Sequence, residues 1–136
     1  MTGHYTVIIP AYNAGRTISE AIQSVHAQSC RPVRLIVVDD GSTDETAAIA
    51  AAMGADVIPQ RNAGPGAACN NALEKVETPF VAFLDADDLW LQEKSAMQLA
   101  LFAADPALDG SFGHLRWFHH GMPVDPAGPL REGWGR

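Results

Sequence analysis

Phe80-Val81-Ala82-Phe83-Leu84 runs without a break into Asp85-Ala86-Asp87-Asp88. An apolar run with no polar alternation reads as a strand buried on both faces, the pattern of a parallel sheet covered by helices. Carboxylates at the end of such a strand have left the core. They stand where open parallel sheets bind ligands, beyond the carboxyl ends of the strands. Two earlier stretches repeat the design. Tyr5-Thr6-Val7-Ile8-Ile9-Pro10 leads into Ala11-Tyr12-Asn13, and the run 33–38 leads into Asp39-Asp40-Gly41-Ser42.

Between these runs the spacing turns helical. Ile18, Ala21, Ile22 and Val25 recur at i, i+3, i+4 and i+7, which predicts an amphipathic helix over 16–28. Ser42 with Glu45 three residues on is a capping-box pattern, so a second helix is expected from there to Met53, with Gly54 as its stop. A brief strand is expected at 55–58, turn material at 62–66 and a helix at 67–76. Met97, Ala100, Leu101 and Ala104 share one helical face, predicting a helix over 91–104 that lies on the core. The segment 110–118 reads as a further strand and His119-His120-Gly121 as a turn. The resulting order, β-α-β-α-β-α-β-α-β, specifies an α/β fold with helices packed on a mostly parallel sheet. Beyond Met122 there are three prolines, three glycines and no periodicity. The expected layout is one domain over 1–122 and an irregular tail over 123–136.

Composition bounds the function. The chain has 136 residues, 47% of them hydrophobic and 18% charged, which suits one globular domain. Its formal charge of −7 argues against a nucleic-acid polymer as partner, because phosphate neutralisation needs clustered basic residues. No apolar run approaches the roughly 18 residues of a membrane span. Met1-Thr2-Gly3-His4 lacks the start of a signal peptide, so a cytoplasmic location is expected. Cys30 and Cys69 are two cysteines only, read as small apolar residues in a reducing compartment.

The strand ends carry the candidate chemistry. Asp85 and Asp87, two apart in extended chain, project to the same side. Such a pair favours a hard divalent cation, Mg²⁺ or Mn²⁺, shared with substrate phosphates. The alternative is an acidic turn in which Asp88 serves the dipole of a following helix. Asp39 and Asp40 suit acceptance of hydrogen bonds from a base or a ribose, or else plain turn and cap duties. Tyr12 offers a face on which a base stacks, or a cover for the core rim. Gly64-Pro65-Gly66 before a helix presents backbone N–H groups suited to phosphate, without being a P-loop or dinucleotide fingerprint. Arg61 and Asn62 approach the same edge from the third strand. The five histidines show no metal-ligand spacing, and no nucleophilic triad stands out.

Taken together these residues resemble the family 2 glycosyltransferases of the GT-A fold. The matching segments are 7–13, 35–44, 61–64, 70–73 and 83–88, in order over about residues 5–104. The resemblance implies a three-layer α/β/α sandwich, truncated after its nucleotide-binding half. It implies a nucleotide-diphospho-sugar donor, usually UDP-linked, with Mn²⁺ or Mg²⁺ as cofactor, and inverting sugar transfer to an unknown acceptor. Matched residue by residue, Pro10, Ala11, Tyr12 and Asn13 line the nucleoside pocket. Asp40 bonds the base and Asp39 supports its loop. Asp85 faces the ribose or a metal-bound water, and Asp87 is the main metal ligand. Arg61, Gly64, Asn70 and Ala86 complete the implied donor-binding set. Cys69 stands where the family often has an arginine. The family's general base lies in a later, acceptor-binding half; Asp125 and Glu132 lie in no matching motif, and neither is assigned that role. The alternative reading is a non-catalytic GT-A module that works with a partner chain, or as a homo-oligomer.

Overall fold

The computed structural model describes residues 3–116 and 118. Four strands and four helices alternate along the chain. They are β1 (Tyr5–Ala11), α1 (Ile18–His26), β2 (Arg34–Asp39), α2 (Thr46–Ala52), β3 (Asp56–Pro59), α3 (Pro65–Leu73), β4 (Phe80–Phe83) and α4 (Lys94–Ala104). The strands form one parallel sheet in the order β3-β2-β1-β4.

Burial on both faces explains the apolar runs of β1 and β2; β4, expected to be buried likewise, is an edge strand and only half-buried, with Phe83 exposed. Val7, Ile9 and Ala11 of β1 and Leu35 and Val37 of β2 pack on one side with Ile18, Ala21, Ile22 and Val25 of α1. Ile8, Ile36 and Val38 face the other side, where Ala68 and Ala72 of α3 meet them. Each such isoleucine withdraws apolar surface worth about 1.5–3 kcal/mol. Helix α1 thus buries the very residues whose spacing predicts it, and α3 lies on the opposite face. These helices and the sheet between them make the expected three layers.

The chain moves from β1 outward to β2 and β3, then returns to place β4 on the far side of β1. That reversal creates a switch point between β1 and β4. Ligands of open α/β sheets bind in the crevice at such a point, outside the carboxyl ends of the strands. The residues that follow β1 and β4 are Tyr12-Asn13 and Asp85–Asp88.

Three expectations are corrected. The capping box does not form. α2 starts at Thr46 with no side-chain cap from Glu45, because Ser42 Oγ is engaged across the fold by the Asn13 N–H. Asp44 instead accepts the Thr46 N–H, at 3.0 Å. The second correction concerns α4, which starts at Lys94 and turns a different face inward. Ser95 is buried, Leu99 packs on the larger core cluster, and Phe102 meets Phe80 with ring centroids 4.9 Å apart. Met97 and Leu101 are exposed, at 68% and 51%. Positions 95, 99 and 102 have helical spacing too, so two stripes compete and packing decides. The third correction is the strand expected at 110–118, which is absent among the described residues of that segment. Phe112 and Leu115 are 88% and 75% exposed, so no burial offsets the entropy of ordering them in a ladder. The tail over 123–136 and the turn at 119–121 lie outside the described residues. No helix among the described residues is long and apolar enough to cross a membrane.

Candidate functional site

The site is built from loops that leave the sheet at the same edge. Asp40 follows β2 and is almost fully buried, at 4% exposure. Its Oδ1 accepts the Gln60 Nε2–H and the Ala63 N–H, each at 2.8 Å, and its Oδ2 accepts the Gly64 N–H at 3.0 Å. The Gln60 bond, then those from Ala63 and Gly64, hold its carboxyl below the usual carboxylate range despite burial. Gln60 is oriented in turn by Asn71, whose Nδ2 donates to Gln60 Oε1 at 3.1 Å. A carboxylate has about four acceptor sites, so three are taken and one on Oδ2 is left for a ligand. Asp39 supports this loop by accepting the Ser42 N–H at 3.1 Å. Gly41 between them has φ +80°, and a Cβ there would lie 3.0 Å from the Asn62 nitrogen. Glycine is required on both counts.

The other residues of the implied donor-binding set differ in what they offer. Tyr12 is 53% exposed and presents its ring at the rim. Pro10 is half-buried. Ala11 and Ala86 are core residues, so only their backbone faces a ligand. Asn13 has φ +48°, and its Oδ1 accepts the Thr43 N–H at 2.8 Å. Its side chain is therefore committed to the neighbouring loop as well as to any nucleoside. Gly64 ends its loop at φ +93° and opens α3, where Pro65 occupies the first turn. Arg61 is exposed and makes no hydrogen bond or ion pair among the described residues. Asn70 is exposed on α3. Its neighbour Cys69 has its thiol pushed up by burial and by the nearby charge of Asp85. The middle of α3 thus lies near the acidic end of β4.

At that end the chain is not extended as expected but turns, the Asp88 N–H donating to the Asp85 carbonyl at 3.1 Å, while burial still alternates. Leu84 and Ala86 are buried, Asp85 and Asp87 exposed. Asp88 joins them: Asp85, Asp87 and Asp88 each offer an oxygen within 4.8 Å of the others. Burial, followed by the charges of Asp87 and Asp85, pushes the Asp88 carboxyl up. The helix-dipole role for Asp88 falls away, because α4 begins six residues later. Three crowded carboxylates fit a hard divalent cation. Beside them lies a cavity of about 260 Å³, lined by Thr17 and Glu20 at the start of α1, by Asp87 and Asp88, and by Arg116 and Phe118.

Gln60 and Asn71 behind Asp40 carry no motif, and only the third acid of the run 85–88 hinted at Asp88. None of the three belongs to the donor-binding set read from the sequence.

Residues 6–118 match the sequence profile described as Glycosyl transferase family 2. The chain belongs to that family. Among its family 2 relatives, the UDP-Glc:alpha-D-GlcNAc-diphosphoundecaprenol beta-1,3-glucosyltransferase WfgD of Escherichia coli is 36% identical over 100 residues, 71% of this chain. The crystal structure of S. aureus TarS 1–349 in complex with UDP-GlcNAc superposes with a TM-score of 0.70 and 32% identity over 75% of this chain. Glucosyl-3-phosphoglycerate synthase from Mycobacterium tuberculosis, solved with Mn²⁺, UDP and glucosyl-3-phosphoglycerate, gives a TM-score of 0.62 and 28% identity over 74% of this chain. These neighbours make the fold GT-A. The chain spans 40% of WfgD, 32% of TarS 1–349 and 39% of the mycobacterial synthase.

Proposed function

We propose that this chain binds a nucleotide-diphospho-sugar, a UDP-sugar, with Mn²⁺ or Mg²⁺, for inverting transfer of the sugar to an acceptor hydroxyl. The observation that carries the reading is the convergence of Asp85, Asp87 and Asp88 at the β1/β4 switch point. Tyr12 would cover the base, and the free site on Asp40 Oδ2 would accept a hydrogen bond from it. Pro10, Ala11 and Asn13 would border the nucleoside, and Gly64, Arg61 and Asn70 would lie along the donor. Asp87 and Asp85 would hold the cation, with Asp88 beside them. A bound cation neutralises the charge that develops on a leaving diphosphate. These side chains would bind and orient the donor, and none of them is its general base. The relatives named above support the nucleotide, since TarS and the mycobacterial synthase were solved with UDP-GlcNAc or UDP.

Thermal unfolding with UDP and Mn²⁺ is the direct test. At ligand about 100-fold above its dissociation constant, the folded state gains about 2.7 kcal/mol, a rise of several degrees in Tm. The rise is expected with both ligands together and to be smaller with either alone. A panel of nucleoside diphosphates that leaves Tm unmoved, with and without Mn²⁺, removes the proposal.

A second reading keeps the fold and drops the catalysis: a module that associates with a partner chain or with its own copy. The exposed side chains of Met97, Leu101, Phe112 and Leu115 favour it. Sedimentation of the chain at rising concentration tests self-association, and a monomer throughout removes the homo-oligomer.

A further inference from the structure

Three successive backbone amides at the end of β1 donate to three side chains of a different loop. The Asn13 N–H reaches Ser42 Oγ at 2.9 Å, the Ala14 N–H reaches Thr46 Oγ1 at 2.9 Å, and the Gly15 N–H reaches Asp44 Oδ2 at 2.9 Å. The last of these acceptors organises the rest. Asp44 Oδ1 takes the Thr46 N–H and, in a short bond, the Thr46 hydroxyl proton. With its own proton so directed, the buried Thr46 Oγ1 is left as an acceptor for Ala14. Gly15 sits so close that a Cβ would lie 2.8 Å from Asp44 Oδ2. Asn13 closes the clasp from the other side, its Oδ1 accepting from the N–H and hydroxyl of Thr43.

This clasp joins the loop that carries Tyr12 to the loop that starts at Asp40. Tyr12 lies one residue before the first clasped amide, and Asp40 lies two before Ser42. Asn13 holds a left-handed backbone, φ +48°, an uncommon state for a residue other than glycine that surrounding bonds must maintain. Three N–H groups pinned in a row leave the turn one arrangement, and that arrangement sets the gap between the tyrosine ring and the Asp40 carboxylate.

We propose that Asp44 is a positioning residue for the nucleotide: it touches no ligand and fixes the Tyr12–Asp40 gap through Gly15 and Thr46. The inference rests on the donor reading above. Without Asp44 the turn occupies its binding arrangement for only part of the time, and apparent affinity falls by that fraction.

The test uses the full chain with two readouts, UDP titration calorimetry in the presence of Mn²⁺ and residue-level amide hydrogen exchange by NMR. Asp44→Asn keeps the size of the side chain and removes its charge. It is expected to weaken UDP binding about tenfold, the result of a turn correctly set about a tenth of the time. Amides 13–15 should exchange faster while β1 and β2 keep their protection. Ser42→Ala, which removes one acceptor from a half-exposed position, should move both readouts the same way by less. It also serves as the test where Asp44→Asn does not fold. UDP affinity unchanged in a variant overturns the positioning role and leaves the donor reading standing, whether or not amides 13–15 have lost protection. Lost affinity with amides 13–15 still protected also overturns it, since Asp44 would then act by contact. No UDP binding by the unaltered chain overturns both.

Discussion

The two halves of the binding edge are finished to different degrees. At the ends of β1 and β2 the polar groups are tied down: Asp40 is held by three donors, Asp39 by one, and the amides of 13–15 by three side chains. Around β4 the three carboxylates of 85, 87 and 88 crowd one another, and repulsion adds to burial in pushing Asp88 up. One half is assembled in advance. The other stores electrostatic repulsion that a cation would relieve. Under the proposed reading the base would meet a stiff surface, and a cation would complete the phosphate end.

The strongest way to break that contrast is Asp87→Ala. It should lower Mn²⁺-dependent UDP affinity by about 100-fold, the upper range for losses at metal sites, as read by titration calorimetry. The same change should raise Tm in the absence of metal, because it removes one of three repelling charges. A variant less stable than the parent in chelator would show that no repulsion is stored there.

The pre-assembled half should instead lose stability when altered. Gly41→Ala forces a methyl to 3.0 Å from the Asn62 nitrogen at a positive φ. It should cost about 1–3 kcal/mol in urea unfolding, the range for a residue held in a strained backbone region, and weaken UDP binding with it. A Gly41→Ala chain of parental stability would show that this loop yields easily.

The smallest effect sharpens the comparison by pH. The Asp40 carboxyl lies lower in the folded chain than its unfolded value of about 3.9. Its contribution is therefore complete above that value and lost as pH falls through the folded one. Tm measured from pH 6 down to 3 should fall at the acid end, and Asp40→Asn should flatten that fall. Parallel curves for the two chains would place the acid sensitivity elsewhere.

What was legible in the sequence follows from how local each cause is. Strands β1 and β2 were plain because both faces are covered, which leaves a solid apolar run. Asp85 and Asp87 were paired on the alternation of extended chain, whereas the segment turns and brings Asp88 in with them. α1 was plain because only one stripe of it is apolar. α4 has two such stripes, so its buried face depends on what it meets. The capping box at Ser42 failed for a related reason: its hydroxyl found a partner 29 residues away. The links of Asp40 to Gln60 and of Gln60 to Asn71 span 20 and 11 residues and leave no local mark. The described residues of 110–118 show the converse, with Phe112 and Leu115 left exposed and outside any strand.

The register of the sheet acts as a ruler. Ala11 is level with Asp39, Asp39 with Pro59, and Ile8 with Phe83. Counted onward from those pairs, Gln60, Asp40 and Tyr12 fall on one rung across three strands, while on the β4 side Leu84, whose N–H donates to the Ile8 carbonyl, is the last residue tied to β1 before the chain turns. Adjacent strands lie about 4.8 Å apart, so the ends of β2 and β4, two strands apart, are set roughly 10 Å from each other at the backbone. A ligand that engages both must bridge that distance, and one too short gives up one end. The length of what this edge accepts is thus written in the spacing of the sheet, before any side chain selects for chemistry.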